Sequence, residues 1–544
     1  MREVEQDRFK TLVSWATAHG GSLHPSLEVY KDSCTGFSIR VKLDRSPTSS
    51  DRQIPSSNSP IQAGDEVLSC PLNISLSYLN ALSGQPLSVN SAKDSASNKS
   101  WFVFPPAFHD LPPHVIGRFF LMKEYLAGSS SFWHPYIATL PQPDVLPSWS
   151  LPPFWSEDDT MFLEGTNTGI SAAQIRDQLQ TEFKEARRIL KDANWPNWQD
   201  YTRTIHNWAF SMFASRSFRP SLVIPKSLRD SYSLAEQLQM GQQHETADGG
   251  RSARKVAIDD FSILLPVFDI INHSPRAQVR WSVDDADHNA KTCHFHTFDT
   301  YQPGDQIFNS YGKKTNSELF LSYGFTLPET ENLHNDYVHV RTKAGAGAGP
   351  MVQGAGPARP AGPAQDFVVS LRPINNPSSL VGSARQLVAR DASFDLRPEF
   401  AHVQDSLVWD LCLAVVGPEN KLSFISKILS ESRSDGPSED SRQHELECLR
   451  QILSASVTLP IEVIQVLDQV KQVLLAKLGM EYDKICETDP GAGVDDEGNE
   501  VVVEVEPQTR NQEIAIEYRA QLKNVLENAI TTLVPDWQSE AMQE

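Results

Sequence analysis

The chain has 544 residues, of which 40% are hydrophobic, enough for buried cores in roughly two to four structural units. Its formal net charge of −21 argues against a nucleic-acid-binding protein and is compatible with a basic protein partner, although solubility alone also accounts for it. The six cysteines form no CxxC pair, so the sequence predicts neither a zinc site nor a disulfide framework and indicates a reducing compartment.

The sequence also predicts neither a secretion signal nor a membrane span. Its first ten residues are charged and read MREVEQDRFK. No stretch reaches the ~18 consecutive apolar residues that a spanning helix needs. The longest apolar run, 261–271, is short and is interrupted by Pro266. We therefore expect a protein of the cytoplasm, the nucleus or both, without membrane partners.

The N-terminal part reads as one helix followed by short strands. Phe9, Leu12 and Ala16 recur at helical spacing, and the predicted helix ends at Gly20. Three apolar runs separated by turn residues predict strands: 27–30, 36–41 and 66–70. Two stretches rich in serine predict surface loops: 46–59 and 88–100.

The middle of the chain reads as helical and then returns to strands. Helical apolar spacing covers three stretches: 115–126, 172–193 and 198–215. A polar, glycine-containing stretch at 237–254 predicts a loop. Further strands are predicted at 261–271, 279–283, 294–298 and 307–311, with a Pro-Gly turn at 301–305.

The last third reads as a linker followed by helices. Residues 343–365 are rich in glycine, alanine and proline and predict a flexible linker. Amphipathic helices are predicted at 461–478 and 510–534. The acidic stretch 487–507 between them predicts a disordered loop, with electrostatic steering of a basic substrate as the alternative interpretation.

Two segments carry residues suited to chemistry. Asn272 and His273 follow an apolar run directly, which places two hydrogen-bonding side chains at a strand end. Tyr311 precedes Gly312, where the backbone can approach a ligand closely. From the residues alone, an Asn-His turn and a packed tyrosine are equally good interpretations.

These segments resemble the signature motifs of SET-domain methyltransferases, in the subclass of the plant Rubisco large-subunit and fungal ribosomal-protein lysine methyltransferases. The first motif is Asp269-x-x-Asn272-His273. The second motif runs from Tyr311-Gly312 through Thr315-Asn316-x-Glu318-Leu319 to Tyr323-Gly324-Phe325. Weaker matches to the same subclass lie at 35–40, 131–141 and 214–218.

The resemblance implies an α+β fold with a β-rich SET core, a helical insertion and a knot-like threading of the core's C-terminal segment. The implied domains are a SET domain at 22–312, with its core at about 22–85 and 255–312 and its insertion at about 105–250; the end of the catalytic core at 313–342; the linker at 343–365; and an all-helical, substrate-binding-like domain at 366–544.

The resemblance also assigns site residues. The positions matched to S-adenosylmethionine binding are Gly36, Phe37, Ser38, Arg40, Arg216, Asp269, Asn272, His273 and Tyr311. Tyr311 matches the catalytic tyrosine, and Tyr323 and Phe325 match substrate-lining positions, with core packing as their alternative. Arg40 and Arg216 suit the cofactor carboxylate, because a guanidinium matches a carboxylate's geometry, but each could be a surface charge.

One position departs from the family pattern. The usual Gly-x-Gly loop reads Gly36-Phe37-Ser38 here, and serine tolerates fewer backbone angles than glycine. The departure bears on the position of the loop and on cofactor affinity.

The implied function is S-adenosylmethionine-dependent methylation of a lysine on another protein, such as a ribosomal or translation protein, by a monomeric enzyme without a metal. A protein-histidine methyltransferase is one alternative. A non-catalytic binding module that keeps the SET fold is the other, and Ser38 is the feature that favours it.

Overall fold

The computed structural model describes residues 2–33, 35–43, 59–84, 86, 103–145, 151–226, 256–284, 291–341, 366–429, 441–494, 500–503 and 505–535. The predicted loop at 46–59, apart from Ser59, the predicted loops at 88–100 and 237–254 and the linker at 343–365 lie outside these residues. The chain forms two compact units. The first contains the described residues of 1–150 and 175–312, and the second contains those of 151–174, 313–341 and 366–535.

The helices of the chain are α1 (Arg2–Ala18), α2 (Tyr78–Ser83), α3 (Pro113–Ala127), α4 (His134–Ile137), α5 (Glu157–Thr160), α6 (Asn167–Asp192), α7 (Arg203–Arg216), α8 (Pro220–Val223), α9 (Asn316–Tyr323), α10 (Leu380–Arg385), α11 (Asp405–Val416), α12 (Lys421–Leu429), α13 (Ser441–Leu453), α14 (Ile461–Glu487) and α15 (Arg510–Leu533). The strands are β1 (Ser22–Leu23), β2 (Leu27–Asp32), β3 (Gly36–Val41), β4 (Glu66–Pro71), β5 (Leu76–Ser77), β6 (Ser217–Phe218), β7 (Ile263–Leu264), β8 (Asn272–His273), β9 (Val279–Val283), β10 (Thr292–Thr297), β11 (Phe308–Asn309), β12 (Tyr337–Arg341), β13 (Asp366–Ser370), β14 (Ala492–Val494) and β15 (Glu500–Val502).

The largest sheet of the first unit joins strands from both ends of that unit. Its order is β1-β4-β10-β9, and each neighbouring pair is antiparallel. Val67 and Leu68 on β4 and Phe295 on β10 are fully buried, because apolar side chains on a sheet face must be removed from water. Residues near 67 and 295 therefore share one core, as the resemblance implied.

A second β element brings the first strands to the predicted site. β2 and β3 form an antiparallel hairpin. On its free edge, β3 bonds to the segment before β11: the amide of Ile307 donates to the carbonyl of Ile39 over 2.9 Å. β11 in turn lies parallel to β8, with Phe308 opposite Asn272 and Asn309 opposite His273. The hairpin, β11 and β8 therefore lie side by side.

The helices of the first unit bury a charged cluster. α3 begins at Pro113, a residue favoured in a first turn, and α7 begins after Thr202, whose hydroxyl accepts from the amide of Ile205. Arg118 on α3 is fully buried and donates to Glu182 on α6 over 2.6 Å. His114 bonds to the other oxygen of Glu182 over 2.9 Å. A paired arrangement is required, because an isolated buried charge is costly.

The second unit is mostly helical. The motif helix α9 starts in a capping box, in which Thr315 and Glu318 each bond the other's backbone amide. α14 and α15 pack together around a shared apolar core that includes the buried Leu474 and Leu522. Tyr518 on α15 is buried, and its hydroxyl bonds to the side chain of Ser317. The part of the second motif that follows Gly312 is therefore fixed within this unit by the C-terminal helix.

Four predictions made from the sequence were wrong in detail. The segment 366–544 is not all-helical: β13, whose consecutive apolar residues 367–369 are all buried, pairs with β12, and β14 pairs with β15. That last pair also lies within 487–507, which was predicted to be disordered. The apolar run 261–271 is a strand only at Ile263–Leu264 and continues as a turn at Phe268–Ile270. The predicted helical insertion at 105–250 is divided, because residues 151–174 belong to the second unit.

Candidate active site

The two motif segments meet at the end of β8 and β11. The amide of Tyr311 donates to Nδ1 of His273 over 3.1 Å. The two rings are stacked, with centroids 5.0 Å apart and planes 17° apart. Residues from both motifs thus form a single surface of the first unit.

Asn272 connects this surface to the N-terminal hairpin. Its amide nitrogen donates to Oγ1 of Thr35 over 2.9 Å and to Oε1 of Gln306 over 3.0 Å. The amide of Gln306 donates onward to the hydroxyl of Tyr30 over 2.7 Å. The predicted cofactor loop at 36–38 is therefore held next to the first motif by side chains on both of its flanks.

The loop itself requires glycine at its first position, not at its third. Gly36 has φ +78°, a left-handed conformation that residues with a Cβ rarely adopt. Ser38 is fully buried in β3, opposite Tyr30, and has ordinary extended backbone. The departure from Gly-x-Gly therefore places no strain on the loop. Phe37 packs its ring against Phe9 of α1, 4.2 Å between centroids.

Arg40 is bound by a neighbour on the hairpin. Its Nε and Nη2 donate to Oε1 of Glu28 over 2.9 and 2.8 Å, and its guanidinium lies over the ring of Tyr30 at 4.5 Å. An arginine in this arrangement already has a carboxylate partner. Its assignment to the cofactor carboxylate stays a prediction.

Asp269 and Arg216 form a half-buried ion pair at the turn before β8. Nη1 of Arg216 donates to Oδ2 of Asp269 over 3.3 Å and to its carbonyl over 3.1 Å. The hydroxyl of Tyr136 donates to the same Oδ2 over 3.0 Å. Burial raises the pKa of Asp269, while Arg216 and Tyr136 act in the opposite direction. Sequence analysis matched both ionic partners to the cofactor, and the structure brings them together.

The turn that carries Asp269 begins with an unusual backbone. Val267 has φ +74° and ψ −40°, in a region that a β-branched residue rarely adopts, and its side chain is buried. Such a conformation costs on the order of 1–3 kcal/mol and persists only where surrounding packing imposes it. The strain thus coincides with the first motif.

The phenol of Tyr311 is fixed by the same turn. Its hydroxyl donates to the carbonyl of Ile271 over 2.9 Å. Burial raises the pKa of Tyr311 well above its usual value, Arg216 opposes the rise and Asp269 adds to it. The group therefore stays a protonated phenol, whose oxygen lone pairs can still accept from a ligand.

Tyr323 and Phe325, the predicted substrate residues, lie in the second unit. Tyr323 is the last residue of α9, and its ring centroid is 6.2 Å from that of Phe325. Nζ of Lys314 lies 5.9 Å from the Tyr323 ring. Both aromatic residues are half-buried, so their roles as substrate residues or as packing stay predictions.

The polar atoms of the first unit fit a ligand with an amino-acid tail. Oγ of Ser38 and Oδ1 of Asp269 are buried and have no hydrogen-bond partner among the described residues. Buried polar atoms normally have a partner, so each is suited to a ligand group. Within the same residues, no group of His, Cys, Asp and Glu is arranged to hold a metal ion. No described helix is long and apolar enough to cross a bilayer.

Sequence reasoning missed Thr35, Gln306 and the role of Tyr136. Gln306 follows the Pro-Gly turn directly and precedes the strand next to the first motif, which was a usable signal. Thr35 adjoins Gly36 at the hairpin turn. Tyr136 lies within the matched stretch 131–141, but its contact with Asp269 could not be predicted, because it joins residues on separate elements.

Comparisons with known proteins agree with this arrangement. No model of a protein family matches the chain. Ribosomal lysine N-methyltransferase set10 of Schizosaccharomyces pombe is 26% identical over 346 residues, covering 61% of this chain and 50% of that protein. Protein-lysine N-methyltransferase EFM1 of Saccharomyces cerevisiae is 24% identical over 36% of this chain and 33% of its own length. Actin-histidine N-methyltransferase of Homo sapiens is 22% identical over 62% of this chain and 45% of its own length.

The chain thus spans half or less of the length of these curated relatives. Solved structures cover more of it. The SET domain of LSMT bound to lysine and AdoHcy matches with a TM-score of 0.51 at 15% identity, covering 98% of this chain and 92% of that one. The same domain bound to methyllysine and AdoHcy matches with a TM-score of 0.50. At this identity the likeness shows a shared fold.

Proposed function

We propose that the chain is a SET-domain methyltransferase that transfers a methyl group from S-adenosylmethionine to a lysine of another protein. The observation that carries the proposal is the meeting of the first motif with Tyr311, the first residue of the second motif, where the amide of Tyr311 donates to His273 and its hydroxyl donates to the carbonyl of Ile271. Relatives named as lysine methyltransferases support the reaction, and LSMT structures with AdoHcy support the cofactor.

The proposed binding site uses the residues gathered at β3, β8 and β11. Asp269 and Ser38 supply buried oxygens to the polar tail of S-adenosylmethionine, with Arg216 next to them. Asn272 and His273 hold the adjacent backbone in place through Thr35 and Tyr311. When bound, the cofactor supplies a methyl group activated by a sulfonium.

Tyr311 is the proposed catalytic residue. The Tyr311 hydroxyl donates to the carbonyl of Ile271, which fixes the direction of its hydrogen, and its oxygen lone pairs can accept from a polarised methyl group or from the N–H of an amine. The attacking lysine must be neutral, although free lysine titrates near pH ~10.4. Removal from water lowers that value, and alignment of the two reactants supplies the main rate acceleration.

The proposed substrate is a non-histone protein such as a ribosomal or translation protein. The support is the name of the Schizosaccharomyces pombe relative and an overall charge of −21, which suits a basic partner. We propose that Tyr323, Phe325 and the domain at 366–544 contact the protein substrate. We also propose the knot-like threading of the C-terminal segment of the core, which ends near residue 342.

Two alternatives remain. Actin-histidine N-methyltransferases match 62% of the chain, but at lower identity than the lysine enzyme of Schizosaccharomyces pombe, which makes histidine the weaker target. A non-catalytic module loses its sequence argument, because Ser38 imposes no strain on the loop.

The proposed location is the cytoplasm or nucleus, in keeping with the described cysteines, none of which forms a disulfide. We propose that the protein is a monomer, and light scattering measures its molar mass in solution.

The first test is isothermal titration of the full chain with S-adenosylmethionine, wild type beside Asn272→Ala. The proposal predicts binding that the variant weakens, because Asn272 links the cofactor loop to the first motif. Labelled cofactor with cell extract then identifies the methylated protein, and mass spectrometry of the product identifies lysine or histidine. Absence of binding by the wild type would contradict the enzyme proposal and favour the binding module.

A further inference from the structure

Tyr136 makes a contact that none of the proposed roles uses. It is fully buried on α4, and its hydroxyl donates to Oδ2 of Asp269 over 3.0 Å. Nη1 of Arg216, at the end of α7, reaches the same oxygen. Three segments that are distant in sequence therefore meet at one carboxylate within the first unit.

The carboxylate has an asymmetric environment. Oδ2 has two donors, whereas Oδ1 is buried and has no partner among the described residues. The Asp269 side chain is 1% exposed, so its donors within the protein decide its charge and orientation. A buried carboxylate stays ionised only with hydrogen bonds or an opposite charge, and its orientation follows from where those donors lie.

We propose that Tyr136 is a positioning residue: by donating to Oδ2 it keeps the Asp269 carboxylate ionised and oriented so that Oδ1 accepts a hydrogen bond from a cationic nitrogen of the bound ligand. The inference rests on the proposed function, in which that ligand is S-adenosylmethionine, whose amino-acid tail carries such a nitrogen. Burial raises the pKa of Tyr136 well above its usual value, so the phenol stays a donor.

The titratable groups that face Asp269 are Tyr136, Arg216, Tyr311 and Cys70. Tyr136 and Arg216 lower the pKa of Asp269, against the effect of burial. The hydroxyl of Tyr311 already donates to the carbonyl of Ile271, and the thiol of Cys70 donates to the carbonyl of Pro71, so neither group takes over this role. Without the Tyr136 hydroxyl, Asp269 takes up a proton at a higher pH and loses the charge that attracts a cationic ligand.

The experiment is isothermal titration with S-adenosylmethionine across the acid and neutral pH range. The proteins are the wild type, Tyr136→Phe and the matched control Tyr201→Phe, which removes another buried hydroxyl in the same unit, bonded to the side chain of Trp195. For Tyr136→Phe we expect affinity about tenfold weaker at neutral pH, since a charge-assisted hydrogen bond is weakened. Its loss of affinity with acid should also begin at a higher pH, whereas Tyr201→Phe should follow the wild type.

The outcomes separate the two proposals. If the wild type binds the cofactor and Tyr136→Phe has the same affinity and pH profile, the role of Tyr136 is overturned and the enzyme proposal is unaffected. Wild type that does not bind overturns both. If Tyr136→Phe does not fold, Asp269→Asn is added, because a neutral amide removes the unsatisfied charge. Recovery of the melting temperature supports the inference, and a double variant that stays unfolded overturns it, because neutralising the carboxylate then does not replace what the Tyr136 hydroxyl supplies.

Discussion

At the scale of single residues, the hydroxyl of Tyr311 has a fixed donor direction, toward the Ile271 carbonyl. Tyr311→Phe removes the phenolic oxygen but leaves the ring, which stacks on His273, and the amide that bonds to it. We expect kcat to fall about 100-fold with little change in S-adenosylmethionine affinity, because a preorganised dipole at the reacting group is lost. A radiolabel transfer assay alongside titration measures both, with Tyr482→Phe in the second unit as control. Equal turnover by Tyr311→Phe would show that another residue is catalytic.

Two glycine-to-alanine changes should have opposite signs. Gly36 has φ +78°, so Gly36→Ala strains the hairpin and is expected to lower the free energy of unfolding by about 1–2 kcal/mol and to weaken cofactor binding. Gly479 lies inside α14, and a methyl group added there would meet open space, so Gly479→Ala should raise that free energy by about 0.5–1 kcal/mol. Urea titrations of both variants test the pair, and a stabilising Gly36→Ala would refute the backbone argument.

Individual site residues also show which contacts the sequence could predict and which it could not. The positions on the first motif and Tyr311 were identified because their motif spacing is specific, and the structure brings them together. Arg40 was matched to a cofactor carboxylate, although its direct cross-strand partner is Glu28. That pairing depends on the register of the β2–β3 hairpin, which the sequence pattern alone left undefined.

At the scale of elements, α3, α6 and α7 enclose groups that resist protonation. Arg118 and His114 lower the pKa of Glu182 to about 2 despite its burial. Burial lowers the pKa of His206 to about 3, and its ring lies 5.5 Å from those of Phe119 and Phe183. Both groups bind protons more weakly in the folded chain than in the unfolded chain, so both make the first unit sensitive to acid.

The sign and range of this effect can be measured. The contribution of His206 is complete above pH 6.5 and is lost as the pH falls toward about 3, whereas that of Glu182 is lost below pH 4.5. His206→Leu should therefore remove the contribution of His206 to the acid destabilisation that begins near pH 6.5 and leave those of His334 and His402, whose pKa values burial also lowers, while the exposed His134→Leu should change nothing in this range. Denaturant titrations at several pH values compare the three proteins. A His206→Leu profile parallel to the wild type would contradict the assignment.

The periodicity of apolar residues predicted the type of each helix or strand better than the residues at which it begins and ends. The spacing of apolar residues in 115–126, 198–215 and 510–534 predicted α3, α7 and α15 within a few residues. The run 261–271 failed, because a stretch of buried apolar residues is compatible with either a strand or a turn that is enclosed on all sides. Pro266 and the left-handed Val267 break the strand there, and only the tertiary packing explains the second of these.

At the scale of the whole molecule, the predicted cofactor residues all lie in the first unit. Saturating S-adenosylmethionine, at about 100 times Kd, should then raise the melting temperature of that unit by roughly 5–10 °C. Hydrogen exchange measured by mass spectrometry should show protection in peptides from β3, β8 and β11. The same protein in buffer without cofactor is the reference, and protection confined to α11–α15 would locate the cofactor in the second unit.

The order of strands in the largest sheet has a consequence for synthesis. β4 is translated long before its partner β10, with α3, α6 and α7 made in between, so its edge has only β1 to pair with in the meantime. Pairings between distant segments form slowly, and an unpaired strand edge invites association with other chains. We therefore expect the nascent chain to be open to association at this edge until residue 297 has left the ribosome, and the proposed site to assemble only after β11 has followed.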